Sequence, residues 1–395
     1  MQERIDIQGL FASRKSQLIV LALACSCVYH IFLAIAYGGF PVSYYPDELW
    51  ILSTGLYLVG AEIRAIPPTV LMDKTLMLPL FEGILYRIFG FPNFLYLLCT
   101  WDILIVILLL VFSYRLGSLY FNDEWAGIAA AILIAFNWHI GWYVHRLLPD
   151  IAMVAFEFAT LTFYLEYCKN RRTKSLLLCG VSAALALWAK ESALYLLPCL
   201  IMLISIEKRA QASSFLWLAI GFTLGFSPFA AISMLRYGNP IMPFIARLQQ
   251  FEGSNRGVLF NIFFIQALPA SIGLLTVLFY IDSFIKLVKQ KRFFLPLTSL
   301  FSLSFYFFLI PYGLRDQYMV HFTPFFILTS ALSLRQTVAT CLRRYGLKGA
   351  LIMVIVVLFT NISPRREDPF TWIFLHQRMM KIDKYGSIRE FIARK

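Results

Sequence analysis

Two adjacent carboxylates, Asp47 and Glu48, stand in the motif YYPDELW, a few residues after a long apolar run. A carboxylate at a membrane surface can act as a general base that takes the proton from an acceptor hydroxyl while a leaving group departs from the opposite face of a sugar. The same residues are also typical of a solvated acidic pair among interfacial aromatic side chains. The motif alone leaves both interpretations open.

Two further motifs contain cations that can bind a phosphate. In HRLLPD, Arg146 can form paired hydrogen bonds to a phosphate, and Asp150 can orient that guanidinium or hold a cation. In WAKES, Lys190 supplies a compact positive charge between two apolar runs, beside Glu191. The structural alternatives are that Asp150 caps a helix with Arg146 snorkelling, and that Lys190 and Glu191 form a plain hairpin tip.

Two later segments contain further candidates, and we expect both on the same side of the membrane as the motifs above. Arg315 and Tyr318 precede a late apolar run and can join the same pocket. The motif YGNPIMPF carries Asn239 in a stretch whose glycine and prolines are also typical of a simple turn.

The elements that position these residues must be membrane-spanning helices. Of the 395 residues, 59% are hydrophobic and only 14% are charged, which excludes a soluble enzyme. The net charge of +13 is better explained by topology signals and anionic membrane lipids than by nucleic acid, which we exclude as a partner. The seven cysteines show neither a disulfide framework nor a zinc-binding spacing.

Eleven apolar runs are long enough to be candidate membrane spans, and they predict an all-α integral membrane bundle. If the N-terminus is cytoplasmic, the inner connections contain 18 of the 35 basic residues, the outer loops nine and the C-terminal tail eight. The positive-inside rule therefore favours this topology, with the tail as the exception. The predicted spans are 17–37, 92–112, 125–143, 150–167, 174–190, 192–206, 214–235, 260–281, 293–311, 318–334 and 347–362.

This topology divides the chain into a transmembrane domain, 1–362, and a short basic tail, 363–395. Two outer loops, 38–91 and 236–259, are longer than a turn needs, which is typical of functional loops. Within the first loop, the apolar stretches 51–59 and 76–89 predict helices that lie along the membrane interface.

The order of the motifs resembles the polytopic GT-C glycosyltransferases, and within them the dolichyl-phosphate-mannose protein mannosyltransferases and aminoarabinose transferases. The likeness rests on the acidic pair of the first outer loop, on Arg146-x-x-Pro149-Asp150, on the stretch from Gly180 through Lys190 to Pro198, and on the GNPxxPF loop.

The resemblance implies a polyprenyl- or dolichyl-phosphate sugar as donor, Asp47 as catalytic base, and Lys190 and Arg146 on the donor phosphate. It also implies that no metal cofactor is needed. Two features depart from the family: its late R-Y-x-x-P pattern becomes Arg315-Asp316-Gln317-Tyr318, and only some 33 residues follow the last predicted span. The first puts the role of Arg315 in question, and the second assigns acceptor recognition to the outer loops.

We therefore expect a membrane glycosyltransferase that moves one sugar to a protein, lipid or glycan acceptor at the extracytoplasmic face. Asp47 would act as base, Glu48 would shape the site, and Lys190, Arg146 and Arg315 would bind phosphate. Asp150, Tyr318, Asn239 and Glu191 would support them.

The alternative from another class is a transporter or flippase of a lipid-linked or anionic substrate. Asp102 and Glu157 favour it, because carboxylates within spans should line a path across the membrane. A non-catalytic subunit whose basic tail binds anionic lipids is a third reading.

Overall fold

The computed structural model describes residues 24–25, 28, 46–60, 75–90, 93–144, 149–206, 212–252, 272–309 and 320–362. Every element within these residues is a helix, which confirms the predicted all-α membrane bundle. The α-helices are α1 (Pro46–Leu58), α2 (Met77–Phe89), α3 (Asn93–Phe121), α4 (Glu124–Ala135), α5 (Trp138–Val144), α6 (Asp150–Asn170), α7 (Thr173–Ala189), α8 (Leu196–Ile206), α9 (Ala212–Tyr237), α10 (Met242–Glu252), α11 (Leu274–Lys289), α12 (Phe294–Leu309) and α13 (Thr323–Ile362), and a short 3₁₀ helix, Glu191–Tyr195, leads from α7 into α8.

Three helices of the described chain are long and apolar enough to cross a bilayer: Ile103–Phe121 in α3, Asp150–Asn170 and Ser213–Tyr237 in α9. The span predicted at 17–37 lies almost wholly outside the described residues. The total of eleven spans stays a prediction.

Close packing at glycines shows the relative direction of α7, which ends just before Lys190, and α9. A Cβ on Gly180 of α7 would lie 2.2 Å from the Leu218 carbonyl oxygen of α9, and one on Gly225 would lie 2.8 Å from that of Val181. Contacts therefore advance along both helices together, so α7 and α9 are parallel. The chain must return between them through α8, so the two runs around Glu191 form separate helices that run in opposite directions.

The last two predicted spans are joined differently from our expectation of an inner loop. Helix α13 runs through the basic stretch and breaks only at Gly346, where φ is +67°. A left-handed backbone of this kind favours glycine, which carries no Cβ. The connection is therefore a sharp kink between two helical segments.

Two shorter helices lie within the segment predicted as the first outer loop, close to the stretches predicted as helices. Helices α1 and α2 pack against each other through Gly55 and Gly83, and a Cβ on Gly55 would lie 2.2 Å from the Pro79 carbonyl oxygen. Helix α2 also contacts α3 and α7, so the pair is attached to the main bundle.

Candidate functional site

A buried polar cluster joins three separate parts of the chain at one end of the bundle. The Asp150 carboxylate oxygen Oδ1 accepts hydrogen bonds from Lys190 Nζ at 2.5 Å and from His321 Nε2 at 2.7 Å. The three residues are 1%, 8% and 3% exposed, respectively. A carboxylate and an ammonium buried this deeply stabilise each other, because either charge alone would be costly to remove from water.

Local structure explains why these groups meet. Asp150 is the first residue of α6, and Lys190 follows the last residue of α7 in an extended conformation, with φ −154°. Helices α6 and α7 are antiparallel neighbours, so the N-terminus of one lies beside the C-terminus of the other. An anion is favourable at the first position and a cation at the second. His321 completes the cluster from the turn that leads into α13.

A second ion pair at this end of the bundle attaches α10 to the hairpin tip, which is the turn at Lys190 and Glu191 between α7 and α8. Arg247 Nε of α10 lies 3.1 Å from Glu191 Oε1, and both side chains are partly exposed. The ring of Phe244 packs 5.0 Å from that of Trp188, which precedes Lys190 by two residues. Helix α10 therefore covers the hairpin tip through one ion pair and one aromatic contact.

Asn239 shapes the turn that leads into α10. Its Oδ1 accepts from the Ile241 backbone N–H at 2.9 Å, and its carbonyl oxygen accepts from the Ser233 hydroxyl at 2.7 Å. Gly238 before it has a φ of +72°. The turn interpretation of this motif is thereby supported, and Asn239 has a clear structural role in placing α10.

The acidic pair lies in an element that is held at the same end. Asp47 and Glu48 occupy the first turn of α1. The ring of Tyr57 on α1 stacks on that of Tyr237, the last residue of α9, with centroids 6.1 Å apart. Just before α2, the Thr75 hydroxyl donates to the Ala189 carbonyl oxygen at 2.6 Å, one residue from Lys190. Both contacts tie the α1–α2 pair to the hairpin tip and to the end of α9.

The remaining predicted residues separate into two groups. Arg146, Arg315 and Tyr318 lie outside the described residues. Glu157 is fully buried on α6, two turns from Asp150, and the Tyr195 phenol is its polar neighbour. Asp102 lies within α3.

His321 is a member of the cluster that sequence reasoning missed. The sequence does hold a signal for it, since a histidine inside an apolar run must find a polar partner or a cavity. What the sequence does not contain is the partner, because Asp150 lies 171 residues away.

The cluster offers a positive charge that is held in place but not fully enclosed. Lys190 keeps a small exposed fraction, whereas the second oxygen of Asp150, Oδ2, is buried and has no hydrogen-bond partner within the described part of the chain. This oxygen can orient one further donor, which is the role we expect for Arg146. Among the described residues, no three His, Cys, Asp or Glu side chains come together as metal ligands.

A family model matches part of the chain. Residues 73–233 match the family described as Dolichyl-phosphate-mannose-protein mannosyltransferase. That segment includes Asp150 and Lys190, whereas Asp47 and His321 fall outside it. No curated protein matches the chain.

Solved structures share the fold along almost the whole chain. ArnT from Cupriavidus metallidurans, bound to undecaprenyl phosphate, is 16% identical with a TM-score of 0.58, over 96% of this chain and 78% of that one. The oligosaccharyltransferase AglB from Archaeoglobus fulgidus, in complex with an inhibitory peptide and a dolichol-phosphate, is 11% identical with a TM-score of 0.58, over 93% of this chain. This chain spans only 56% of the archaeal enzyme. The predicted resemblance to the GT-C fold is confirmed.

Proposed function

We propose, from the premise that this chain belongs to the GT-C superfamily of membrane glycosyltransferases, that it transfers one sugar from a polyprenyl- or dolichyl-phosphate donor to an acceptor hydroxyl. The observation that carries the proposal is the convergence at one end of the bundle. There the helix with the acidic pair is tied to the hairpin tip that holds Lys190.

The donor class is supported by what the structural relatives bind. ArnT is bound to undecaprenyl phosphate and AglB to a dolichol-phosphate, and both are lipid monophosphates. In this chain the donor phosphate would contact Lys190, with Arg146 and Arg315 as further cations from the segments next to Asp150 and His321. Asp150 holds the Lys190 ammonium at a fixed position, which favours binding of a phosphate by lowering the entropy lost on contact.

The reaction would be a single inverting displacement. The acceptor oxygen attacks the anomeric carbon, and the bond from that carbon to the phosphate oxygen breaks with the electron pair on the phosphate. Asp47 takes the acceptor proton as general base, and Glu48 shapes the site beside it. Lys190 and the arginines stabilise the charge that grows on the leaving phosphate. Tyr318, Asn239 and Glu191 would support the pocket walls.

The distribution of cations favours an extracytoplasmic position for the end of the bundle that holds Lys190. The end of the bundle opposite Lys190 carries many exposed cations, including Lys174, Lys289 and Arg344. Cations concentrate in cytoplasmic connections, so the end that holds Lys190 would face away from the cytoplasm.

A two-part measurement tests the proposal in proteoliposomes. Binding of a labelled polyprenyl phosphate is measured first for the intact protein and for the variants Lys190→Gln and Arg335→Gln. Arg335→Gln is the matched control, because it removes a cation at the end of the bundle opposite Lys190. We expect Lys190→Gln to weaken binding by about tenfold to a hundredfold, the loss of one charge-assisted contact, and Arg335→Gln to leave it unchanged.

Sugar transfer is then measured with polyprenyl phosphates that carry different radiolabelled sugars. Asp47→Asn is expected to bind polyprenyl phosphate normally and to lose transfer by at least about a hundredfold. Normal transfer by Asp47→Asn would place the base elsewhere. Movement of the labelled lipid across the bilayer without transfer would establish the transporter instead.

A further inference from the structure

Contacts between α6 and the chain that follows α7 continue inward from the buried cluster. Lys190 donates to Asp150, and two residues later the Ser192 hydroxyl donates to the Met153 sulfur at 3.1 Å. The two partners on α6 are three residues apart, so they lie on one face of that helix. The 3₁₀ helix after Lys190 therefore runs along this face of α6, and further contacts are expected in the same register.

The next pair in this register is Glu157 of α6 with Tyr195, the last residue of the 3₁₀ helix. From Asp150 to Glu157 an α-helix rises about 10.5 Å. From Lys190 to Tyr195 a chain with the 3₁₀ rise advances about 10 Å, so the two segments stay in step. Both side chains are buried, and the phenol is the polar neighbour of the carboxyl group. A third contact thus connects α6 to the chain that carries Lys190.

Glu157 differs from Asp150 in that it forms no ion pair within the described part of the chain. Both of its carboxyl oxygens are buried, and neither has a close hydrogen-bond partner among the described residues. The titratable groups of those residues that act on it or feel it are the Tyr195 phenol and the Cys199 thiol. Phenols and thiols are neutral near pH 7, and a buried carboxylate without a counter-charge is costly. These surroundings therefore favour the neutral acid.

We propose, on the basis of the function proposed above, that Glu157 is held as the neutral acid and is a positioning residue for Lys190. Its carboxyl group pairs with the Tyr195 phenol, directly or through one buried water, as buried polar groups without a close partner commonly do. The segment after Lys190 is then attached to α6 at both of its ends, which holds the ammonium where the donor phosphate binds. Glu157 lies two turns from Asp150 and acts on the phosphate only through this segment.

Infrared difference spectroscopy tests the neutral state without any ligand. The spectrum of the intact protein minus that of Glu157→Gln should show the carbonyl stretch of a protonated carboxylic acid, which is well separated from the bands of an ionised carboxylate. Glu166→Gln is the matched control, because Glu166 lies on the same helix and pairs with Arg115 at the opposite end. Its difference spectrum should show carboxylate bands. Carboxylate bands for Glu157 as well would overturn the inference and leave the proposed function standing.

Binding of labelled polyprenyl phosphate in proteoliposomes tests the positioning role. Glu157→Leu removes the polar pair and should weaken binding about threefold to tenfold, the effect of one lost hydrogen bond. Glu157→Gln can still bond the phenol and should bind within about twofold of the intact protein. In the Lys190→Gln background, Glu157→Leu should have no further effect, because its influence passes through Lys190. General damage to the bundle would weaken binding in both backgrounds.

The outcomes distinguish the inference from the proposed function. Equal losses from Glu157→Leu in the two backgrounds, or a tenfold loss in Glu157→Gln, overturn the positioning role and leave the proposed function in place. Failure of the intact protein to bind polyprenyl phosphate overturns both. Tyr195→Phe removes only the phenol oxygen and should reproduce the effect of Glu157→Leu in each background, so the role is tested even if Glu157→Leu does not fold.

Discussion

The two ends of this bundle use the same types of ion pair in different surroundings. At the end of the hairpin tip, Asp150, Lys190 and His321 form one cluster that is almost fully buried. At the opposite end, Arg335 pairs with Asp123 and Arg115 with Glu166, and the arginine side chains are 38% and 49% exposed. Water solvates the second set even when a pair is broken, whereas the members of the first set are almost fully removed from water.

The difference shows which pairs can carry function. Exposed ion pairs contribute about 0 to 1 kcal/mol, since solvent screens them and ordering their side chains costs entropy. Breaking a buried pair costs about 3 to 5 kcal/mol, because one charge remains without compensation. The buried cluster is also adjacent to the elements that hold the acidic pair.

The largest effect should come from removing the charge of Asp150. Asp150→Asn is expected to lower the free energy of unfolding by about 3 to 5 kcal/mol, because the buried Lys190 ammonium loses its carboxylate. Denaturant unfolding in detergent micelles measures this loss.

Asp123→Asn at the opposite end is the matched control. It removes one carboxylate charge from an ion pair, but an asparagine can still cap α4 as Asp123 does through the Trp125 N–H. We expect a loss below about 1 kcal/mol. Equal losses in the two variants would mean that burial does not distinguish the two ends.

An intermediate effect is expected at the half-buried pair that attaches α10. Arg247→Gln should release the ion pair between α10 and Glu191, at a local cost of about 1 kcal/mol. Backbone amides of α10 should then exchange with solvent roughly fivefold faster, and those of α7 at the unchanged rate.

Arg236→Gln provides the control for that measurement. It removes an exposed cation from the last turn of α9, close to the same surface. Faster exchange of α10 in this variant as well would assign the effect to net charge and not to the pair with Glu191.

The smallest effect should appear at Asp282, whose side chain is about half exposed near the opposite end. Hydrogen bonds from Lys286 and Ser333 lower the pKa of its carboxyl group. A lowered carboxyl pKa adds stability that is present above the pKa of the unfolded chain and is lost as the pH falls through the folded value. Asp282→Asn should therefore lower unfolding stability by less than about 1 kcal/mol at pH 7, and by a smaller amount at pH 3.

Thermal unfolding of Asp282→Asn and the intact protein at both pH values measures this difference. A larger loss at pH 3 than at pH 7 would contradict the sign of the shift.

Much of the fold could be predicted from the sequence because a bilayer imposes simple rules. The apolar runs of the sequence predicted the N-terminal ends of helices α3, α6, α7 and α9 to within a few residues. The predicted interfacial stretch 76–89 closely matches α2. The α13 kink was not predictable in this way, since hydropathy reports the polarity of a connection but not whether it is helical.

The candidate site divides along the same line. Lys190 was selected from the sequence because a charge between apolar runs is costly unless it has a partner, Glu191 as its neighbour, and Asp150 as the partner expected for Arg146 at a helix start. Their partners were not, since Asp150 meets Lys190 and His321 only through the packing of three helix ends. The expected link from Asp150 to Arg146 stays a prediction.

The sequence by itself determined that this protein is a helical membrane protein and which polar residues required a partner. Both conclusions depend on the solvation of individual residues, which composition and periodicity record. Only the tertiary structure decided that Asp150, Lys190 and His321 share one buried cluster, and that α1 is tied to the same end of the bundle. Those facts depend on contacts between residues far apart in the chain, which no local pattern encodes.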